Sequence, residues 1–169
     1  ELASEEEIAP PSIKRKEQKQ GIMSAMLGAG SEGLDVSPGA MIAADIALLV
    51  KLRKRQTTLY EETTGKRPAK PLAARRQIDY AADLHQLAVR VDRYLPEVAA
   101  LLLEAKVEMV ASHEQLKAKQ PEQSIPHQKL VIEKLTQAES IMRAWWKELL
   151  EAIDAISVSG GQAPAHGAG

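Results

Sequence analysis

A dense cluster of basic side chains between residues 51 and 76 is the part of the sequence best suited to binding a ligand. The cluster holds nine Lys or Arg residues and only two Glu residues. Its members are Lys51, Arg53, Lys54, Arg55, Lys66, Arg67, Lys70, Arg75 and Arg76. Clustered cations of this kind contact phosphate groups, so these nine residues are the candidate phosphate or nucleic-acid contacts. The alternative is a solvated polar face that maintains solubility or meets an acidic partner.

The rest of the sequence limits how such a cluster can act. The whole chain has a formal net charge of −1, so the positive charge is local. Tyr60 is the one aromatic residue inside the segment, and no recognition-helix motif is present. The sequence therefore gives no support for base-specific readout in a groove of DNA.

Other residue patterns that could carry chemistry are incomplete. Gly28–Gly33 reads G-x-G-x-x-G, the pattern of a dinucleotide-binding motif. That motif requires a strand before it and a helix directly after it, and this segment has neither. We therefore interpret it as a hinge. Glu104 and Glu108 share a helix face without the E-x-x-H motif of carboxylate-bridged metal sites. There is no Cys, and the His residues are isolated from one another. The sequence predicts no enzymatic activity, no metal and no cofactor.

Two stripes of apolar residues with a seven-residue repeat indicate long amphipathic helices. One stripe runs from Tyr80 to Met109, and the other runs from Val131 to Ile156. Such stripes are buried either in the chain's own core or against a partner helix, and sequence alone leaves both alternatives open. For Trp145 and Trp146 the favoured interpretation is that both cap the core, and the alternative is that one of them contacts a partner chain, because Trp is enriched at binding hot spots. The candidate partner-binding residues are Tyr80, Leu84, Leu87, Met142, Trp145, Trp146 and Leu149.

Helix-start and helix-stop residues divide the chain into segments. Residues 1–36 are expected to form a flexible N-terminal arm, residues 37–157 a helical bundle, and residues 158–169 a flexible Gly/Ala-rich tail. Ser37-Pro38 is a typical start for the first helix, and Gly65 a typical end. The second helix is predicted to begin near Leu72, and the last to run from Ser124 to about residue 157.

Pro96 interrupts the second helical segment. Proline cannot donate the main-chain hydrogen bond and clashes with the preceding turn. The apolar register nevertheless continues through it, which favours one kinked helix over two separate helices.

These observations predict an all-α protein, built as an antiparallel bundle of three to four long helices with a kink or break at Pro96. We expect a non-enzymatic assembly or adaptor protein that forms a homo-oligomer or docks a helical partner. The alternative is a helical nucleic-acid-binding protein that uses the basic segment. No apolar stretch has the roughly 20 residues needed to span a membrane, and the N-terminus lacks a basic leader, so we expect a soluble protein. The sequence does not identify its compartment, and the cytoplasm is the default expectation.

Overall fold

The computed structural model describes the backbone of residues 37–168 and the side chains of residues 37–157. This part of the chain contains four α-helices and no β-strand. The helices are α1 (Pro38–Thr64), α2 (Ala73–Val91), α3 (Pro96–Lys117) and α4 (Pro121–Ala168). The predicted all-α fold is therefore confirmed. The predicted arm of residues 1–36, including the Gly28–Gly33 motif, lies outside the described residues.

Both ends of α1 follow the sequence prediction. The Ser37 Oγ atom accepts a hydrogen bond from the Ala40 amide at 3.2 Å and caps the helix. At the other end, Gly65 adopts a φ of 89°, and the next amide, that of Lys66, bonds back to the Glu61 carbonyl at 2.8 Å. Glycine suits this left-handed C-cap conformation because it has no Cβ atom to clash.

The favoured interpretation of one kinked helix at Pro96 is wrong, because α2 ends at Val91 and α3 begins at Pro96. The residue before a proline is driven toward extended backbone, and Leu95 has a φ of −141°. The turn is stabilised because the Tyr94 and Leu95 side chains are buried. The apolar register continued across the break because both helices present their stripes to a common core.

The start of the last helix also differs from the prediction. α4 begins at Pro121, one turn before Ser124, and the buried Ser124 hydroxyl donates to the Pro121 carbonyl at 2.6 Å instead of capping the helix. The helix then continues to Ala168, past the predicted end near residue 157. Flexibility of residues 158–169 stays a prediction.

Residues Met41–Glu139 form a compact unit that contains most of α1, all of α2 and α3, and the first part of α4. Asp45 of α1 bonds to Arg90 of α2, whereas Gln56, further along α1, bonds to Gln77, nearer the start of α2. The two helices are therefore antiparallel. Side-chain pairs between α2 and α3, α3 and α4, and α1 and α4 follow the same rule, so this unit is the predicted antiparallel bundle. The part of α4 from Ser140 onward belongs to a second compact unit.

The apolar stripes are the core of the folded chain. Leu84, Leu87 and Leu135 have no solvent exposure, which confirms the helix faces predicted from the seven-residue repeat. On α3 the stripe residues Val98, Ala105 and Met109 are also fully buried, but Leu102 rather than the predicted Leu101 fills the position between Val98 and Ala105. None of the helices within residues 37–168 is both long enough and apolar enough to cross a membrane.

A buried polar network crosses the middle of the bundle and connects its four helices. Gln56 and Gln77 exchange two amide hydrogen bonds, at 3.1 and 2.7 Å, and the Ser112 hydroxyl donates to Gln77 at 2.9 Å. The Gln128 carbonyl oxygen accepts a hydrogen bond from the Gln56 amide, and the Gln128 amide donates to Ser124 and to Thr63 on the other side of the network. Because buried polar groups cost stability unless they are paired, this network favours one register of the four helices.

Candidate functional site

Five of the nine predicted phosphate-contact residues line one cavity on the surface of the Met41–Glu139 unit. Lys51, Lys54 and Arg55 come from α1, Lys70 comes from the α1–α2 connector, and Arg76 comes from α2. The cavity has a volume of about 720 Å³, and we call it the basic groove. Its remaining lining residues are Ala47, Val50, Thr58, Glu62, Pro71 and Tyr80. This volume falls within the range of typical small-molecule sites, roughly 300–1,000 Å³.

The helical geometry of α1 explains how one wall of the basic groove arises. Lys51, Lys54, Thr58 and Glu62 recur every three or four residues, so they share one face of the helix. The buried face of α1, which includes Leu52, holds the helix against the core and fixes the direction of the basic face. The helical spacing of these residues, as well as their charge, therefore determines the α1 wall of the basic groove.

Four of the five groove cations are available to a ligand. Lys51, Lys54, Arg55 and Lys70 are exposed, and none of them forms an ion pair with another described residue. Like charges that converge on a concave surface raise the local positive potential and attract anions. The arrangement is suited to binding several phosphate groups at once.

Arg76 has a different role, because its guanidinium is already engaged by the protein. Its Nη2 atom donates to Glu62 Oε1 at 2.7 Å and to the Lys70 carbonyl at 3.3 Å, and its Nε atom donates to the Pro71 carbonyl at 3.3 Å. Burial disfavours the charged guanidinium, but the hydrogen bond and charge of Glu62, with a further hydrogen bond to Tyr80, outweigh it, so the pKa of Arg76 lies above its ordinary value. Arg76 thus fastens the connector that carries Lys70 to α1 and α2.

The remaining four predicted phosphate contacts lie outside the basic groove. Arg53 forms an ion pair with Glu139 of α4, and Arg67 pairs with Glu61 at the end of α1. Arg75 lies 3.4 Å from Asp79 in an exposed pair one helical turn away. Lys66 is exposed on the connector and is not among the residues that line the groove.

The seven predicted partner-binding residues are separated by the fold. Tyr80 lines the basic groove, whereas the other six are at most 5% exposed: Leu84, Leu87, Met142, Trp145, Trp146 and Leu149. In this conformation those six side chains are covered by the protein itself, and their role in partner binding stays a prediction. Other apolar residues lie on the surface, where a partner can reach them.

A shallow apolar groove between α2 and α3 is such a surface. Its volume is about 300 Å³, and six of its eight lining residues are apolar: Ala88, Val89, Pro96, Ala99, Ala100 and Leu103, with His85 and Asp92 as the two polar members. Val89 is 51% exposed and Leu103 is 42% exposed, although both are apolar. We call this surface the apolar groove.

Two groups of titratable residues outside the two grooves pair with one another. The His127 Nδ1 atom lies 2.7 Å from Glu108, and Arg90 and Tyr94 both donate to the buried carboxylate of Asp45, at 2.8 and 3.0 Å. Burial, reinforced by the negative charge of Asp45, raises the pKa of Tyr94, so its phenol stays protonated. Among the described residues, no three His, Asp or Glu side chains are grouped so that they could hold a metal ion.

Comparison with known proteins finds no similarity: no family model matches the chain, and neither does any curated protein or solved structure. The site must therefore be judged by its geometry. Sequence reasoning missed Glu62 and the place of Tyr80 in the basic groove. The four-residue interval between Arg76 and Tyr80, which puts both on one face of α2, was the available signal.

Proposed function

We propose that this protein is a non-enzymatic, helical nucleic-acid-binding protein that holds its ligand in the basic groove. The observation that carries the proposal is the convergence on one cavity of four exposed cations that form no ion pair with another described residue, Lys51, Lys54, Arg55 and Lys70. A solvated face would scatter its charges or pair them with nearby carboxylates, as happens to Arg53, Arg67 and Arg75 on other surfaces of the same segment.

The number of available cations sets the expected salt dependence. Each neutralised phosphate of a single strand releases counterions and contributes about −0.7 to the slope of log K against log salt concentration. Four contacts therefore give a slope of about −3, which corresponds to a roughly 50-fold loss of affinity between about 50 and about 200 mM salt.

Fluorescence anisotropy with a labelled oligonucleotide tests this proposal. Lys54→Gln removes a groove cation, whereas Lys66→Gln removes the same charge from the connector outside the groove. We expect Lys54→Gln to weaken binding several-fold and to reduce the salt slope by about 0.7, with a much smaller effect of Lys66→Gln. Absence of binding at low salt, or equal effects of the two substitutions, would refute the proposal.

A second candidate function is helix-mediated assembly or docking to a helical partner through the apolar groove. The observation that favours it is the exposure of Val89 and Leu103 side by side on the α2–α3 surface. Apolar pockets of this kind accept the apolar face of an amphipathic helix.

Sedimentation equilibrium over a wide range of protein concentrations tests this second function. We expect the average mass to rise with concentration and Leu103→Lys to abolish the rise. Leu130→Lys is a matched control, because Leu130 is 40% exposed but lies on α4 outside the apolar groove. A constant monomer mass would argue against self-assembly, and equal effects of the two variants would exclude this groove as the contact.

A further inference from the structure

The basic groove contains one aromatic side chain, that of Tyr80. A site that recognised phosphate alone would need cations and hydrogen-bond donors but no aromatic ring. Tyr80 is partly exposed and lines the groove together with the apolar side chains of Val50 and Pro71. The cavity therefore combines a cationic section with a section that can accept a flat apolar surface.

Arg76 lies one helical turn before Tyr80 on α2, and both residues line the basic groove. The Arg76 guanidinium is held by Glu62, whose side chain is only 4% exposed, and by the carbonyls of Lys70 and Pro71. Because Arg76 is engaged in this way, the phosphate contacts fall to the four exposed cations, none of which pairs with another described residue. The flat ring of a Tyr side chain has only two side-chain torsions, so it loses little conformational entropy when a ligand stacks on it.

We propose that Tyr80 stacks on one base of a single-stranded nucleic acid whose phosphates lie along Lys51, Lys54, Arg55 and Lys70. This inference rests on the proposed function and adds the form of the strand and the residue that recognises it. Every base has a flat face that an aromatic ring can cover, so the contact tolerates any sequence. In a duplex the bases are stacked on one another, so their faces cannot reach a ring inside a cavity.

The test compares Tyr80→Leu with the unmodified protein on three probes: a single-stranded oligonucleotide, the duplex of the same sequence, and inorganic polyphosphate, which carries no bases. We expect Tyr80→Leu to weaken binding of the single strand by roughly 5- to 150-fold, the range for loss of one stacked base. Binding of polyphosphate should stay within about twofold, because the phosphate contacts remain. Tyr80→Phe keeps the ring and should restore most of the affinity for the single strand.

The outcomes separate this inference from the proposed function. If neither nucleic acid nor polyphosphate binds the unmodified protein, both are refuted. The stacking inference fails if nucleic acid binds but Tyr80→Leu weakens binding of the single strand and of polyphosphate equally. It also fails if the duplex binds as tightly as the single strand. In both cases the nucleic-acid function stands. Circular dichroism of both variants establishes that each remains folded when its affinity is measured.

Discussion

The buried glutamine network makes a quantitative prediction about the stability of the bundle. Gln77 has no solvent exposure and takes part in three hydrogen bonds, two with Gln56 and one with Ser112. Gln77→Leu retains most of the side-chain volume but leaves the Gln56 carbonyl oxygen and the Ser112 hydroxyl without this partner. Since each stranded buried polar group costs about 1–3 kcal/mol, we expect the free energy of unfolding to fall by about 2–5 kcal/mol.

Urea denaturation followed by circular dichroism measures this loss, because the Met41–Glu139 unit that contains the network is built of helices. Gln86→Leu is the matched control, since Gln86 lies on the same helix but is exposed. Its effect should stay within about 0.5 kcal/mol. A Gln77→Leu variant as stable as the Gln86→Leu variant would refute the role assigned to the network.

The double variant Gln56→Leu/Gln77→Leu sharpens the test. It removes both partners of the two central hydrogen bonds, so it strands fewer groups than the two single variants together. We expect it to be less destabilising than the sum of the single substitutions by at least about 1 kcal/mol. Strict additivity would mean that the two amides act independently.

Three further predictions concern the backbone, the alkaline stability and the core. Lys119 has a φ of 61°, so Lys119→Gly should relieve its left-handed strain and raise the free energy of unfolding by about 0.5–1 kcal/mol in urea titrations; a loss of stability would contradict this. Because the folded-state pKa of Tyr94 is raised above its ordinary value of 10.0, the stability contributed by its protonated phenol is complete below about pH 10 and is lost as the pH rises further. Tyr94→Phe should therefore show a shallower alkaline decline in thermal melts, and an unchanged decline would exclude Tyr94 as its source. Leu135 has no solvent exposure, so Leu135→Ala should lower the free energy of unfolding by about 2–5 kcal/mol. Glu133→Ala, on the exposed face of the same helix, should leave it nearly unchanged. Similar melting temperatures of the two variants would contradict the assigned helix faces.

Both ends of α1 were predictable because they depend on local chemistry. The serine cap at Ser37 and the left-handed glycine at Gly65 act through neighbouring backbone groups, so the sequence identifies them without knowledge of the fold. The break at Pro96 was not resolved in advance, because a kink and a turn preserve the same apolar register. Burial of Leu95 in the core, which depends on tertiary packing, stabilises the turn.

The polar core and the basic groove could not be predicted from the sequence alone. Gln56 and Gln77 interrupt apolar faces, and nothing in either helix alone indicates that they meet in the interior. In the basic segment, charge composition identified nine candidates. Only the tertiary structure separates Lys70, which lines the groove and pairs with no other described residue, from Arg53, which is paired with Glu139. The periodic spacing of groove residues on α1 was visible in the sequence, whereas the contribution of Tyr80 required α1 and α2 to be placed side by side.

The central claim is that nucleic acid binds in the basic groove. The most direct test is to map the changes in backbone amide chemical shifts during titration with a single-stranded oligonucleotide. We predict that the largest changes occur at Lys51, Thr58, Lys70 and Tyr80, which line the groove from two helices and their connector. Val89 and Leu103, in the apolar groove, should change little. Changes centred on the apolar groove, or none at low salt, would contradict the claim.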